Sequence, residues 1–176
     1  MNHTELCELW QKKNERFKIW RDGLFKVACD IHARIEETLQ LSEKHWKDNE
    51  HNAPIKYVSL LNISVDEPLH QFFSKDSITD NGEFLFRLRI YLDHGLQTYP
   101  KAPYDIALAV RYLDDKPEFS IFNRGDMQAK KWNENIDQFA ESIIRTLAEN
   151  LSFDPFKGQP KQAKIGFIES TRSSWK

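Results

Sequence analysis

One stretch of the chain, Glu83 to His94, constrains the fold more than any other part of the sequence. Its apolar set is Phe84, Phe86, Leu88, Ile90 and Leu92. Because successive side chains of a β-strand point to opposite faces, this alternation predicts a strand with one wholly apolar face. The other face carries Arg87, Arg89 and Tyr91. The rest of the fold is therefore expected to be arranged around this strand.

Composition places the chain among ordinary globular proteins. Its 176 residues are 40% hydrophobic and 30% charged, which is enough for one domain, residues 1–176, and too apolar for a disordered chain. Two cysteines, Cys7 and Cys29, are too few for a disulfide framework. No apolar run approaches the roughly 20 residues that span a bilayer, and the N-terminus lacks the pattern of a signal peptide. We therefore expect a soluble cytoplasmic protein with no membrane partner.

A long amphipathic helix is predicted from residue 4 to about residue 48. Thr4 is a suitable N-cap, and Glu5 is favourable in the first turn. Apolar residues at helical spacing follow: Leu6, Trp10, Phe17, Trp20, Leu24, Val27, Ile31, Ile35 and Leu39. Gly23 costs about 1 kcal/mol relative to alanine inside a helix, so a kink or a break into two helices is an alternative. The polar run that ends at Pro54 is expected to close the helix.

Further strands and a second helix follow along the chain. Strands are predicted at residues 55–65, 105–113 and 118–123, the last two as a hairpin. A second helix is predicted from residue 126 to about residue 151. Because no crossover helix separates two strands, neighbouring strands should be antiparallel. The sequence thus predicts an α+β fold: a four-stranded antiparallel sheet with the N-terminal and C-terminal helices packed on one face, and an open opposite face.

Residues 157–176 are predicted to form a peripheral basic tail. From Leu151 onward five basic residues oppose two acidic ones, a net charge of +3, and prolines and glycines interrupt the chain. Residues 165–168 are apolar enough for a short edge strand. Phe167 and Trp175 are the predicted partner contacts of this tail, because aromatic side chains dominate interface hot spots.

The polar face of the opening strand is the strongest candidate for a binding surface. The candidate binding residues there are Lys56, Arg87, Arg89, Tyr91 and Arg111. Arginine and aromatic groups on an open sheet hold phosphates, stack on bases or pair with an acidic protein. The alternative is an ordinary polar face on which the arginines pair with Asp93, Asp105 or Glu118.

Two groups of residues are candidates for chemistry. Cys29, His32 and Glu36 share one face of the first helix, within reach of one metal ion, but a closed zinc site needs a fourth ligand that no spacing nominates. Asp93 and His94 form a candidate acid–base pair to which no nucleophile is tied. The sequence contains neither a glycine-rich phosphate loop nor a hydrolase motif. We therefore expect no metal and no cofactor, and we favour a protein without catalysis.

These observations favour a non-catalytic, cytoplasmic protein-binding module: an adaptor, an immunity or antitoxin-like protein, or a subunit of a larger complex. The expected partner is a protein, and a homo-oligomer is compatible with an open sheet face. One alternative is a nucleic-acid-binding protein that uses the basic face, since a formal net charge of −2 disfavours only binding driven by overall charge. Another is a hydrolase or nuclease built around His94.

Overall fold

The computed structural model describes residues 2–47, 54–70, 77–93, 102–123, 128–129, 131–152 and 167–169. The helices in these ranges are α1 (His3–Thr38) and α2 (Ile136–Leu151). The strands are β1 (His45–Lys47), β2 (Pro54–Lys56), β3 (Val58–Asn62), β4 (Phe84–Leu92), β5 (Ala102–Leu113), β6 (Lys116–Asn123), β7 (Gln128–Ala129) and β8 (Phe167–Glu169).

The main sheet is antiparallel throughout the described residues. Strands β3, β4, β5 and β6 lie side by side in chain order, and β7 pairs with β6. β8 pairs with the first half of β5, whereas β6 pairs with its second half. β1 and β2 form a separate two-stranded sheet. The predicted α+β fold with a four-stranded antiparallel sheet is therefore confirmed.

Both helices pack on one face of this sheet. α1 contacts β3, β5 and α2, and α2 contacts β6. The apolar face of β4 forms the centre of the core, where Phe86 lies opposite Leu108 and Leu88 lies opposite Ile106 of β5. The helices add Leu24, Val27, Ala28, Ile31, Ile35, Phe139, Ala140, Ile143 and Leu147. The alternation of β4 thus sorts its side chains between the helix side and the opposite side as predicted.

The sheet face opposite the helices is not open to water at its centre, contrary to the expectation. Leu85, Ala107, Ala109 and Phe122 lie on this face and are buried, and Trp132 packs against them. β4 and β5 are therefore buried on both sides. Polar side chains on the second face must find partners within the protein, because an unpaired polar group is costly to bury.

The bounds of α1 differ from the prediction at both ends. Asn2, rather than Thr4, is the N-cap and forms a capping box with the first turn. The helix ends at Thr38 instead of near residue 48. Gln40 adopts a positive φ of 48°, which turns the chain out of the helical path, and residues 45–47 then form β1.

Two further boundaries also differ. The predicted strand over residues 55–65 is divided at Tyr57, where the chain bends between β2 and β3. α2 begins after its N-cap Asn135 rather than at Asp126. The reason lies in Asn133, whose backbone bonds to that of Phe119 in β6 and holds the chain on the sheet two residues before the N-cap.

The C-terminal tail contributes one short strand to the main sheet. The backbone of residues 167–169 pairs with residues 104–106 of β5, close to the predicted edge strand at 165–168. The remainder of the predicted tail, residues 157–176, lies outside the described residues. Its peripheral position and the single-domain organisation of the chain stay predictions.

Gly23 lies within an unbroken helix and lets another side chain approach it closely. A Cβ at this position would lie 2.7 Å from the hydroxyl oxygen of Tyr112 and 3.4 Å from the nearest ring carbons. α1 runs through this residue without interruption, so the alternative of a break into two helices is wrong. The glycine is explained by the contact between α1 and the end of β5.

α1 is much longer than the sheet that it covers. Its 36 residues extend about 54 Å, whereas the nine residues of β4 extend about 31 Å. The sheet therefore covers only part of the helix. All buried residues of α1 lie at Leu24 or later, and residues 3–19 are exposed along their whole length. We call residues 3–19 the α1 extension.

The position of Leu88 in the core gives the first prediction. This side chain is fully buried at the centre of the sheet. Leu88→Ala is expected to lower the free energy of unfolding by about 2 to 5 kcal/mol, because it removes apolar contacts and leaves a cavity. Leu113→Ala, at an exposed leucine of the same sheet, is the control and should change it by less than about 0.5 kcal/mol. Urea denaturation measures both, and equal effects would contradict the assigned strand faces.

The contact between Gly23 and Tyr112 gives a second prediction, tested by a double-mutant cycle. Alanine is more favourable than glycine in a helix by about 1 kcal/mol, but in the native protein its methyl group collides with the tyrosine hydroxyl. Gly23→Ala should therefore stabilise the Tyr112→Phe protein and fail to stabilise the native one. We expect a coupling of at least about 0.5 kcal/mol in urea denaturation. An equal effect of Gly23→Ala on the free energy of unfolding in both backgrounds would show that the hydroxyl does not restrict this site.

Candidate functional site

Arg87 and Arg89 of β4 both bind Asp105 of β5 on the sheet face opposite the helices. Arg89 lies directly across from Asp105, to which its Nε and Nη2 donate at 2.6 and 2.7 Å. Arg87 Nη1 donates to the same carboxylate at 2.9 Å. Asp105 is only 1% exposed. Two guanidinium groups thus neutralise one buried carboxylate at the centre of the sheet.

The segment that follows β3 supplies the remaining partners of these arginines. Arg87 donates from Nε to the Asn62 carbonyl at 2.8 Å and from Nη2 to the Val65 carbonyl at 2.6 Å. Asp66 accepts from Arg87 at 3.2 Å and from Arg89 Nη1 at 3.0 Å. The hydrogen bond from Arg89 holds the pKa of Asp66 below its ordinary value. Two arginines and two aspartates therefore form a balanced network, which leaves no net charge for an anionic ligand.

Arg111 lies on the same sheet face but in a second cluster. Its Nε donates to Glu118 Oε2 at 2.7 Å across the β5–β6 pair. Its guanidinium also lies 4.0 Å from the centre of the Trp132 ring, a cation–π contact. This arginine thus combines an ion pair with an aromatic contact inside the fold.

The three sheet arginines share one face, as the alternation predicts, but they do not form a surface that is free to bind an anionic partner. Arg87 is only 8% exposed, so the expectation that it lies open to solvent is wrong. The alternative pairing with Asp105 and Glu118 is confirmed. The physical reason is burial of β4 and β5 on both sides, since a charge inside a protein requires a close partner.

The other candidate binding residues do not join these arginines. Lys56 lies on β2 and borders a cleft of about 390 Å³ beside α1, together with Cys29 and His32. The ring of Tyr91 contacts that of Trp46 edge to face at 5.5 Å. The side chain of Phe167 and the whole of Trp175 lie outside the described residues. The binding roles assigned to all of these residues stay predictions.

Two of the three residues considered for a metal site are bound to other partners. His32 Nε2 lies 3.0 Å from the Val58 carbonyl, and Lys44 Nζ donates to Glu36 at 2.9 Å. Burial raises the pKa of the Cys29 thiol, which disfavours the thiolate that a metal requires. No group of three or more metal-binding side chains occurs within the described part of the chain. The arrangement therefore gives no support to a metal centre on this helix.

The candidate acid–base pair is described only in part. Asp93 accepts a hydrogen bond from the Tyr57 hydroxyl at 2.9 Å, and His94 lies outside the described residues. The hydrolase or nuclease alternative therefore gains no geometric support from the acid alone, and a catalytic role for His94 stays a prediction.

The α1 extension presents large apolar side chains to solvent. Its exposed apolar residues are Leu6, Leu9, Trp10, Phe17 and Ile19. Their exposed fractions lie between 47% and 73%. Leu6, Leu9, Trp10 and Phe17 share one face of the helix, whereas Ile19 lies on the opposite face. Single exposed apolar residues are common on protein surfaces, but four of them in a row on one helix face are typical of an interaction site. The predicted apolar stripe contains most of this row, but none of its residues is among the candidate binding residues.

The signal that was missed is the length of the apolar stripe compared with that of the strands. A nine-residue strand matches about 20 residues of helix in length, whereas the predicted stripe runs from Leu6 to Leu39. Part of such a stripe must extend beyond the sheet. This comparison needs only the sequence and predicts that one end of α1 is left without cover.

Comparison with known proteins adds no further constraint on the site. No protein-family profile, no curated protein and no solved structure matches this chain. Neither helix in the described residues has the length and apolar character required to cross a membrane. The function proposed below therefore depends on the fold and its surfaces.

The arginine network gives a third prediction, on stability. Asp105→Asn should lower the free energy of unfolding by about 3 to 5 kcal/mol, because it leaves two largely buried arginines without their shared carboxylate. Asp66→Asn is the matched control; its exposed carboxylate binds the same arginines, so a loss below about 1 kcal/mol is expected. Urea denaturation at neutral pH measures both variants. Similar losses for the two would show that Asp105 has no special place in the network.

Proposed function

We propose that this chain is a non-catalytic, cytoplasmic protein-binding module that binds its partner through the α1 extension. An adaptor, an immunity or antitoxin-like protein, and a subunit of a larger complex all belong to this class. The observation that supports the proposal is an exposed apolar row on a helix anchored in the core, formed by Leu6, Leu9, Trp10 and Phe17. No feature of the described residues supports catalysis as strongly as this row supports protein binding.

The energetics favour association through this helix. Burial of one large apolar side chain contributes about 1.5 to 3 kcal/mol, so covering several of them supports a specific complex. The extension is the continuation of a helix whose second half is packed in the core, which preorganises it for binding. Binding then does not have to order the helix first, a step that weakens the association of flexible segments. A helix laid against an apolar surface is a common mode of protein recognition.

The nucleic-acid alternative is less well supported than protein binding. Arg87, Arg89 and Arg111 are each paired with a carboxylate in the fold, and free basic side chains are what phosphate binding requires. Nucleic-acid binding predicts excess absorbance at 260 nm in the purified protein and its removal by high salt. A clean spectrum at low salt would argue against this alternative.

Affinity purification from the native host tests the proposed function. We expect the tagged chain to retain a protein partner, identified by mass spectrometry, and the Trp10→Asp variant to lose it, because a carboxylate replaces an apolar contact in the interface. Ile19→Asp is the matched control: it introduces the same charge at another exposed apolar position, nine residues further along and so on the opposite side of the helix.

The pattern across the two variants decides the outcome. Loss of the partner with Trp10→Asp and its retention with Ile19→Asp supports the proposal. Equal retention by both variants would place the binding surface elsewhere on the protein. Circular dichroism on the purified variants checks that α1 is intact, and an unfolded Trp10→Asp protein would contradict its assignment to a free helix face.

A further inference from the structure

We infer that the partner of the α1 extension is a second copy of this chain, bound antiparallel along the same helix face. This inference rests on the proposed function, since it names the partner of the proposed binding surface. Three features of the extension carry it: the spacing of its apolar residues, the position of Lys13 within the seam, and the position of Arg16 beside it.

The apolar stripe of α1 follows a seven-residue repeat. Its positions alternate steps of four and three residues: Leu6, Trp10, Lys13, Phe17, Trp20, Leu24, Val27 and Ile31. This is the a/d pattern of a two-helix coiled coil. Within the core the same stripe faces the sheet and α2, where Leu24, Val27 and Ile31 are buried. The extension thus carries the same seam into solvent, and a second helix is the element that fits it.

Lys13 is the one charged residue in this seam, and it selects the antiparallel orientation. A parallel pair places Lys13 against its own copy, so two like charges meet in the interface. An antiparallel pair centred between Gln11 and Lys12 places Lys13 opposite Trp10 and Leu6 opposite Phe17. A lysine over an indole ring is a favourable cation–π arrangement, and the lysine stem covers apolar surface.

The charge beside the seam also fits the antiparallel orientation better. In the seven-residue repeat Arg16 flanks the seam, and a parallel pair places it beside Arg21 of the other copy, a like charge. The antiparallel register places Arg16 beside Leu9 of the other copy, whose exposed side chain its stem covers. The other charged side chains of the first turns point away from the seam and do not select an orientation: Glu5, Glu8, Lys12 and Glu15.

The two ends of the extension fit this register. With the same centre, His3 at the start of one helix lies opposite Trp20 of the other, where the packed part of α1 begins. The overlap therefore uses the whole exposed segment and stops at the sheet domain. The two folded domains lie at opposite ends of the helix pair, so they do not compete for space. The resulting interface is isologous, as in most homodimers.

Analytical ultracentrifugation over a range of concentrations tests self-association. We expect the native chain to form a dimer, and Leu6→Asp to weaken that dimer by about tenfold or more, since the loss of one buried apolar contact exceeds 1.4 kcal/mol. Ile19→Asp should leave the dimer unchanged, because this exposed residue lies outside the seam. A native chain that is monomeric at all concentrations would overturn the inference, and so would equal weakening by both variants.

Thiol crosslinking determines the orientation of the two helices. Cys7 and Asn14 occupy equivalent positions on one flank of the seam, and an antiparallel pair brings Cys7 of one copy beside residue 14 of the other. In a Cys29→Ser background, Asn14→Cys should form a covalent dimer with a short bismaleimide. The control that also carries Cys7→Ser should form none. No crosslink with Asn14→Cys, or a crosslink of equal yield in that control, would overturn the inference.

Failure of this inference can be distinguished from failure of the proposed function. A tagged chain co-expressed with an untagged one should recover the untagged copy. If it instead recovers only a different, identified protein, and Trp10→Asp abolishes that recovery, the proposed function holds and self-pairing is wrong. If neither a second copy nor another protein depends on Trp10, both are wrong.

Discussion

Asp105 is the residue on which the second face of the sheet depends. It is almost fully buried, and its carboxylate is held by Arg87 and Arg89 from the neighbouring strand. A shift of one residue in the register of β4 would exchange its two faces, placing arginines in the apolar core and Leu88 against the carboxylate. The ion pairs and the apolar face of β4 therefore specify the same register. A shift of one residue would disrupt both of them.

Much of the fold was predictable because its central strand has strict alternation. The pattern of residues 84–92 assigns each side chain to a face, and the antiparallel order of β3 to β6 agrees with the absence of a predicted crossover helix between strands. Whether the arginines are buried or exposed was not predictable in the same way. Whether Arg87 is exposed depends on Asn62, Val65 and Asp66, which contact it across more than twenty residues of sequence. Alternation fixes the direction of a side chain but not what covers it.

The candidate site shows the same distinction for a helix. The sequence identifies the apolar stripe of α1, and its seven-residue repeat continues without change from solvent into the core. Burial changes along the helix only because the sheet is shorter than the stripe. It therefore depends on the lengths of both elements and cannot be inferred from the helix alone. Gly23 is a second case: its cost in a helix suggested a break, whereas the Tyr112 hydroxyl that explains it lies about 90 residues away in sequence.

The charged network around Asp105 and the α1 extension also differ in what a substitution changes. The charged groups around Asp105 are part of the folded structure, so altering them changes stability, and any effect on binding would be indirect. The side chains at Leu6, Trp10 and Phe17 are exposed, so altering them leaves the core contacts in place. Selection can therefore modify the α1 extension for a partner without loss of fold. Because the extension continues a helix anchored by Leu24 and Ile31, a partner bound there would meet a helix that is already formed, and the free energy of its apolar contacts would not be offset by ordering of the helix.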